Sequence, residues 1–521
     1  MDGKYILVND VGTTGTRAVL FDRETNIVCE VYREIPQIFP KPGWTEQDPV
    51  ALFETCVDVT KKTLEEAGAS PRDIAAMGIA TQRATSMIWD AETGEPVYNA
   101  ITWQDVRMSD ACESINHSPL FKALHVLGRA YQRIASLSKG LRNNNVGKML
   151  ITAAHFTVTP AQSSAHARWV LDNVPGAKER AAAGKLLMGT VDTWLVWNYT
   201  ARAVHATDYS NVSATGMYDP FGMQWSSLLL KPFKLPGDLV FPEIRDTSGD
   251  FGVTEVFGDP IPIRCVVADQ QAALFGEACF EKGSVKCTNG TGTFIDMNTG
   301  DEPMASINRL TPLIAWQIEG KTTYMMEGII SSAGSSIQWL RDNLGIIKEA
   351  SDSEQLAEAC EDCGGVYVVP AFTGLTAPYW DPFARGTVIG LTRATSKGQV
   401  VRATLESIAY QCKDVIEAMQ KDTGIQVKNI KADGGASANG FLLQFLADIL
   451  DVEVERPQML EATALGAAFL TGIAAGIWKY PDDITRIRRV DKNFSPAMDA
   501  KVRESLYAGW KKAVGRASSW A

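Results

Sequence analysis

Short apolar runs broken by glycine- and threonine-rich turns alternate along this chain with longer stretches of helical period. Residues 5–8 and 18–21 are apolar and flank a polar turn, which is a hairpin pattern. Residues 45–68 predict a helix, with Pro49 near its start and Gly68 near its end. Two short strands follow, at 74–81 and 86–90. Residues 118–150 have a helical, basic pattern (Arg129, Arg133, Lys139, Arg142, Lys148), interrupted at Asn143-Asn144-Asn145. Residues 165–173 predict an amphipathic helix, 188–198 an apolar core segment, and 205–218, rich in Thr, Ser and Asn, a loop. From 236 to 262 the chain turns rich in Gly, Pro and Asp, which predicts a domain boundary at about residue 258.

The second half opens with a β-branched run at 263–267 that leads into Asp269, and then reaches the turn Asn289-Gly290-Thr291-Gly292-Thr293. A helix is predicted over 327–344, a buried strand over 366–371 and a long helix over 396–423. Residues 430–439 read as strand, glycine turn and helix start. The apolar run 464–478 is too short to span a bilayer and predicts a buried helix. A hydroxyl-rich turn early in each half hints at an internal duplication.

With 521 residues the chain exceeds one ordinary core, so two domains are expected, 1–258 and 259–521. The net charge of −11 argues against a general nucleic-acid or membrane-surface binder, though local donors can still hold an anion. Nine scattered cysteines and no visible secretory signal predict free thiols in a reducing cytoplasm. Cys360 and Cys363 form a CxxC, but without a second pair or clustered histidines it does not make a zinc motif. The five histidines lie between His117 and His205, away from the motif-like turns, which weakens any Ser–His or Cys–His proposal.

Three turns carry candidate chemistry. In the first hairpin Asp10 ends a strand, Gly12 and Gly15 free the backbone, Thr13, Thr14 and Thr16 offer hydroxyls and Arg17 a cation. These are residue types that bind phosphate and Mg²⁺. Asp269 sits where a strand fixes the backbone and an acid faces outward, and Gly290–Thr293 lets main-chain N–H groups approach phosphate. Gly434-Gly435 at a helix start is a third anion contact. Each also reads as an ordinary hairpin or tight turn. Trp103, near Gln104, Asp105 and Arg107, suits a polyol, whose C–H groups pack on a ring while its hydroxyls meet polar forks. No Walker A loop is present: Gly320-Lys321-Thr322 has Ala315 where the first glycine is required.

Together these motifs resemble the FGGY carbohydrate kinases, in the order found in the glycerol kinases. The matching segments are DVGTTGTRAVLFD at 10–22, DQQAALFG at 269–276, NGTGTF at 289–294, AGSSIQWLRD at 333–342, VPAFTGLTAPYWDPFARGTVIGLTRAT at 369–395 and DGGASANGFLLQFLADIL at 433–450. The resemblance implies an α/β fold of two RNase H-like (actin-like ATPase) domains around a cleft, a cytoplasmic kinase using ATP and Mg²⁺, a small polyol or sugar as acceptor, and a homodimer or homotetramer. It implies Asp269 as general base and Asp10 beside Mg²⁺. Thr13, Thr14, Arg17, Thr291, Gly334, Gln338, Gly435 and Asn439 would meet ATP, and Arg83, Trp103, Asp269, Gln270 and Phe294 the polyol. An actin- or Hsp70-like ATP-driven switch is the alternative from another class.

The chain departs from this pattern at two acceptor contacts. Ala84 stands where the glycerol kinases carry Glu, Ala161 where they carry Tyr, and His166 replaces a Lys. Losing a buried hydrogen bond costs about 0.5–1.5 kcal/mol, and two alanines enlarge the pocket. The expectation is therefore an acceptor longer than glycerol, a tetritol or a pentulose, with glycerol itself as the alternative if Gln162 or the basic insertion refills the space. No match to a glycine- and lysine-rich fructose-bisphosphate loop exists between Leu235 and Cys265.

Overall fold

A computed structural model describes residues 3–135, 144–459 and 461–521. Lys139, Arg142 and Asn143 of the basic stretch lie outside the described residues.

Two mixed sheets organise the molecule. In the first, Tyr5–Val11, Gly15–Phe21 and Ile27–Glu34 form an antiparallel meander, and Tyr5–Val11 also pairs in parallel with Ile74–Thr81, which pairs in parallel with Ile261–Ala268. In the second, Val285–Asn289, Thr293–Gly300 and Lys321–Ile330 are antiparallel neighbours. Val285–Asn289 then pairs in parallel with Asn429–Asp433, and that strand with Glu453–Pro457. Both sheets thus use one plan, a three-stranded meander whose first strand continues into two parallel strands. Each copy of the plan carries one of the two hydroxyl-rich turns, between the first two strands of its meander. Strand Ile261–Ala268 belongs to the first sheet, so sheet membership changes between Gly276 and Val285 rather than at 258. The Gly/Pro-rich composition before 262 marks loops leading into that strand, not a change of sheet.

Local chemistry sets the helix ends. Asp48 caps Pro49–Glu66 by accepting from the amides of Val50 and Ala51. Ser396 and Gln399 form a capping box on Lys397–Thr423, which ends at the left-handed Gly424. Residues 205–218 are not a loop: they form the strand Ala206–Asp208 and the helix Tyr209–Ser213, capped by Asp208. The expected helix over 327–344 is split. Lys321–Ile330 is a strand, and the helix starts only at Gly334, because Met325–Ile330 pairs with Thr293–Asn298 in the second sheet.

The two halves meet through helix Ala462–Ala474, which packs on the first sheet and crosses helix Asp269–Gly276. The crossing is close. A Cβ on Gly466 would lie 1.7 Å from the Ala272 carbonyl oxygen, and one on Gly276 would lie 2.3 Å from that of Ala462. Among the described residues no helix is long and apolar enough to cross a membrane.

Backbone cannot yield as a flexible side chain does, so Gly466→Ala is expected to cost roughly 1–3 kcal/mol through overpacking. Denaturant unfolding measures it. A variant as stable as the parent would contradict the close crossing.

Candidate active site

The cleft between the sheets gathers most of the residues singled out from the sequence. On one side is the turn after Tyr5–Val11. Gly12 N–H donates to the Gly15 carbonyl (2.9 Å), and the Thr13 carbonyl accepts from the amides of Gln37 (3.1 Å) and Gln47 (2.7 Å). A Cβ on Gly15 would lie 2.2 Å from the Tyr32 hydroxyl oxygen, so a larger residue there would displace the tyrosine ring. Antiparallel register sets Asp10 opposite Arg17. Their side chains lie 3.5 Å apart, and the Arg17 guanidinium also reaches Glu30 (3.2 Å) and Glu461 (3.0 Å). Burial pushes Asp10 up to about 7; Arg17 opposes this, and the neighbouring acids Asp269, Glu461 and Glu30 add to it.

Asp269 is the first residue of its helix, placed by the buried strand Ile261–Ala268. Its carboxylate accepts from the Gln270 amide (2.7 Å) and lies 3.5 Å from Nε of Arg83. Burial raises Asp269 above the ordinary carboxylate range, and Arg83 opposes it. Arg83 also contacts Glu327 of the second sheet at 2.7 Å, and its guanidinium lies 5.8 Å from the Phe294 ring centre. Gln270 does not point freely at the cleft, since its side-chain oxygen accepts from Nζ of Lys286 at 2.7 Å.

Trp103 donates from its ring N–H to the Thr13 hydroxyl (2.9 Å), linking the expected polyol wall to the phosphate turn. Ala84 is buried and adopts φ +62°, a left-handed conformation uncommon for alanine. Its carbonyl accepts from the Ser163 hydroxyl (3.0 Å), which ties it to the start of helix Ser163–Asn173 just after Ala161. Gln162 lies against Gly216, where a Cβ would come within 2.6 Å of its Cγ. His166, five residues after Ala161, is fully enclosed and sits 3.0 Å from the Ser86 hydroxyl through Nδ1.

Across the cleft, Thr291, Gly334, Gln338, Gly435 and Asn439 line one cavity of about 500 Å³. Its floor is main chain. Gly334 N–H donates to the Gly290 carbonyl (3.0 Å) and Ser335 N–H to that of Thr291 (3.0 Å), while a Cβ on Gly334 would lie 2.4 Å from the Gly290 oxygen. Asn439 caps the next helix through the Leu442 amide (2.9 Å) and donates to Ser353 (3.2 Å), so its side chain is partly committed to structure.

Sequence reasoning missed the charged side chains under the acceptor side: Lys286, Asp296 and Glu327. Lys286 and Asp296 are fully buried and 2.7 Å apart. A lone acid in the apolar run Met325–Ile330 was the available signal, hidden by the helical reading of that segment.

The sequence profile of the N-terminal domain of the FGGY family of carbohydrate kinases matches residues 5–126 and 116–276, and that of the C-terminal domain matches 285–475. The chain is 47% identical to a glycerol kinase of Thermoanaerobacter pseudethanolicus over 520 residues, covering 99% of each. It is 46% identical to glycerol kinase 2 of Thermotoga maritima over 519 residues, again 99% of each. A crystal structure of Plasmodium falciparum glycerol kinase with ADP superposes with a TM-score of 0.88 at 32% identity, covering 98% of each chain. A xylulose kinase from Rhodospirillum rubrum shares the fold, with a TM-score of 0.82 at 21% identity and coverage of 98% of each chain.

Burial pushes His166 down from 6.5 to about 4. As pH falls, the unfolded chain therefore takes up this proton before the folded one does. The stability that neutral His166 contributes is present above pH 6.5 and is lost as pH falls towards 4. Between pH 7 and 4 the parent should lose roughly 3 kcal/mol more unfolding free energy than His166→Gln. Parallel pH–stability curves for the two proteins would contradict this.

Proposed function

The chain belongs to the FGGY family of carbohydrate kinases, and from that premise we propose that it transfers the γ-phosphoryl group of ATP to a terminal hydroxyl of glycerol. The observation that carries the reading is the placement of Asp269 and Arg83, 3.5 Å apart, with Asp269 near enough to Asp10 of the phosphate turn to act on its charge and Arg83 reaching Glu327 of the second sheet. Phosphoryl transfer asks the protein for position and charge neutralisation more than for covalent chemistry.

Asp269 orients the attacking hydroxyl and takes its proton as the new bond forms. Its raised pKa brings it closer to the pH at which a base works best. Arg83 and Trp103 hold the acceptor against Phe294. The N–H groups of the two hydroxyl-rich turns and Arg17 receive the phosphates, while Thr291, Gly334, Gln338, Gly435 and Asn439 hold the rest of the nucleotide. Closure of the two sheets keeps water from competing as acceptor.

A Mg²⁺ ion fits beside Asp10. That carboxylate is buried, with Arg17 at 3.5 Å on one side and the acids Asp269, Glu461 and Glu30 acting against its charge, so a further cation beside it would be favourable. Among the described residues no three metal-ligating side chains cluster, and an ion shared with phosphates and waters needs only one or two carboxylates. When bound, the ion neutralises charge on the transferring phosphates.

Relatives sharing 46–47% of residues over the full length carry the name glycerol kinase, which supports glycerol over the longer acceptor expected from Ala84 and Ala161. One observation keeps a four- or five-carbon acceptor as a second reading. The Ser163 hydroxyl holds the Ala84 carbonyl, and Gln162, which could refill the space left by the two alanines, packs against Gly216.

Acceptor-dependent ADP release with glycerol, erythritol, both threitols, xylitol, xylulose and ribulose separates the readings. The highest kcat/KM is expected with glycerol, and a four- or five-carbon preference would overturn that. Asp269→Asn should lower kcat by about 10²–10⁴-fold while still binding ATP; unchanged turnover would remove Asp269 as the base. Ala84→Glu should reduce kcat/KM for erythritol more than for glycerol. An unchanged ratio would show that position 84 does not border the acceptor.

A further inference from the structure

Asp269, Gln270, Lys286, Asp296, Glu327 and Arg83 form a ring of side chains that crosses from one sheet to the other. Asp269 leads to Gln270, its neighbour in sequence. Gln270 accepts from Nζ of Lys286 at 2.7 Å, and Lys286 lies 2.7 Å from Asp296. Strand register places Lys286 opposite Asp296 and Asp296 opposite Glu327, so the three side chains share one face of the second sheet. Glu327 meets Nη2 of Arg83 at 2.7 Å, and Nε of Arg83 lies 3.5 Å from Asp269.

Sheet stability does not explain this arrangement. Like charges directly opposite one another, as Asp296 and Glu327 are, destabilise a sheet. Buried ion pairs are often no better than well-packed apolar residues. Lys286 and Asp296 have no exposed side-chain surface and Glu327 only 5%. The cost is accounted for if the acids hold two cations at defined points: Lys286, which fixes Gln270, and Arg83, which comes from the opposite sheet.

We propose that Glu327, backed by Asp296 and Lys286, is a positioning residue that holds the Arg83 guanidinium across the cleft beside Asp269. The proposal deepens the kinase reading above and rests on it. Glu327 touches no reacting atom. Its contact uses Nη2 and the Asp269 contact uses Nε, and neither occupies Nη1, which is left to meet an acceptor hydroxyl. Because Arg83 follows a strand of the first sheet and Glu327 lies on the second, the acceptor site is complete only when the two sheets approach. The acceptor, rather than the nucleotide, should therefore sense Glu327.

The test is steady-state kinetics on Glu327→Gln, Arg83→Ala and the double variant, varying glycerol and ATP separately, with thermal melting to confirm folding. Glu327→Gln should raise the glycerol KM by about tenfold or more, leave the ATP KM within about twofold, and lower kcat less than it raises KM. In the Arg83→Ala background the same substitution should change the glycerol KM by less than about twofold, since its effect runs through Arg83. Equal shifts in both KM values, or effects that multiply independently in the double variant, would overturn the proposal in favour of a purely structural role. If Glu327→Gln does not fold, Glu327→Asp keeps the charge one methylene short. It should still raise the glycerol KM selectively, and an unchanged glycerol KM there would overturn the proposal. Parent protein that turns over none of the acceptors would defeat the kinase reading itself. An active parent with an unaffected Glu327→Gln defeats only this inference.

Discussion

A guanidinium held between carboxylates from two different sheets is the constraint on which this cleft depends. Arg83 reaches Asp269, at the helix start that follows a first-sheet strand, and Glu327 on the second sheet. Taking three charges out of water is costly unless they satisfy one another. The pairing therefore fixes how the halves face each other at the point where an acceptor must lie. Burial pushes Glu327 above the ordinary carboxylate range, and Arg83 opposes it.

Around that fixed point the fold supplies main-chain surfaces instead of long side chains. The turn at Gly12–Thr14 is tied down by Gln37, Gln47 and Trp103, and the turn at Gly290–Gly292 is covered by the start of helix Gly334–Gln338. At Gly334 a Cβ would lie 2.4 Å from the Gly290 carbonyl oxygen, so the helix start packs backbone to backbone on the Gly290 turn. Equivalent turns in two sheets of the same plan place one anion-receptive surface on each side of the cleft.

Much of this was legible in the sequence. Strands Ile74–Thr81 and Ser86–Asp90, the capped helix Lys397–Thr423 and the buried helix Ala462–Ala474 follow from period, caps and length. Of the eight residues expected at ATP, the five in the second half line one cavity, while Thr13, Thr14 and Arg17 stand at the first turn, outside its lining. The failures have physical causes. Segment 327–344 contains a strand because pairing with Thr293–Gly300 overrides local helical spacing. Residues 205–218 look like a loop by composition, yet Asp208 caps a short helix there with its own carboxylate. The placing of strand Ile261–Ala268 depends on parallel pairing with a strand about 190 positions earlier, which no local pattern reveals. Lys286, Asp296 and Glu327 escaped because each stands singly in sequence and they meet only through strand register. At Ala84 and Ala161 the identities alone suggested a larger pocket, while the full-length relatives favour glycerol.

The account is tested most directly by the proton-coupled ³¹P spectrum of the product formed from ATP and glycerol. Transfer to a terminal hydroxyl predicts a new phosphomonoester resonance split into a triplet by the adjacent CH₂ group, growing as ADP accumulates. A doublet would place the phosphate on the secondary hydroxyl, and inorganic phosphate alone would mean that the cleft hydrolyses ATP without an acceptor. Either result would contradict the account.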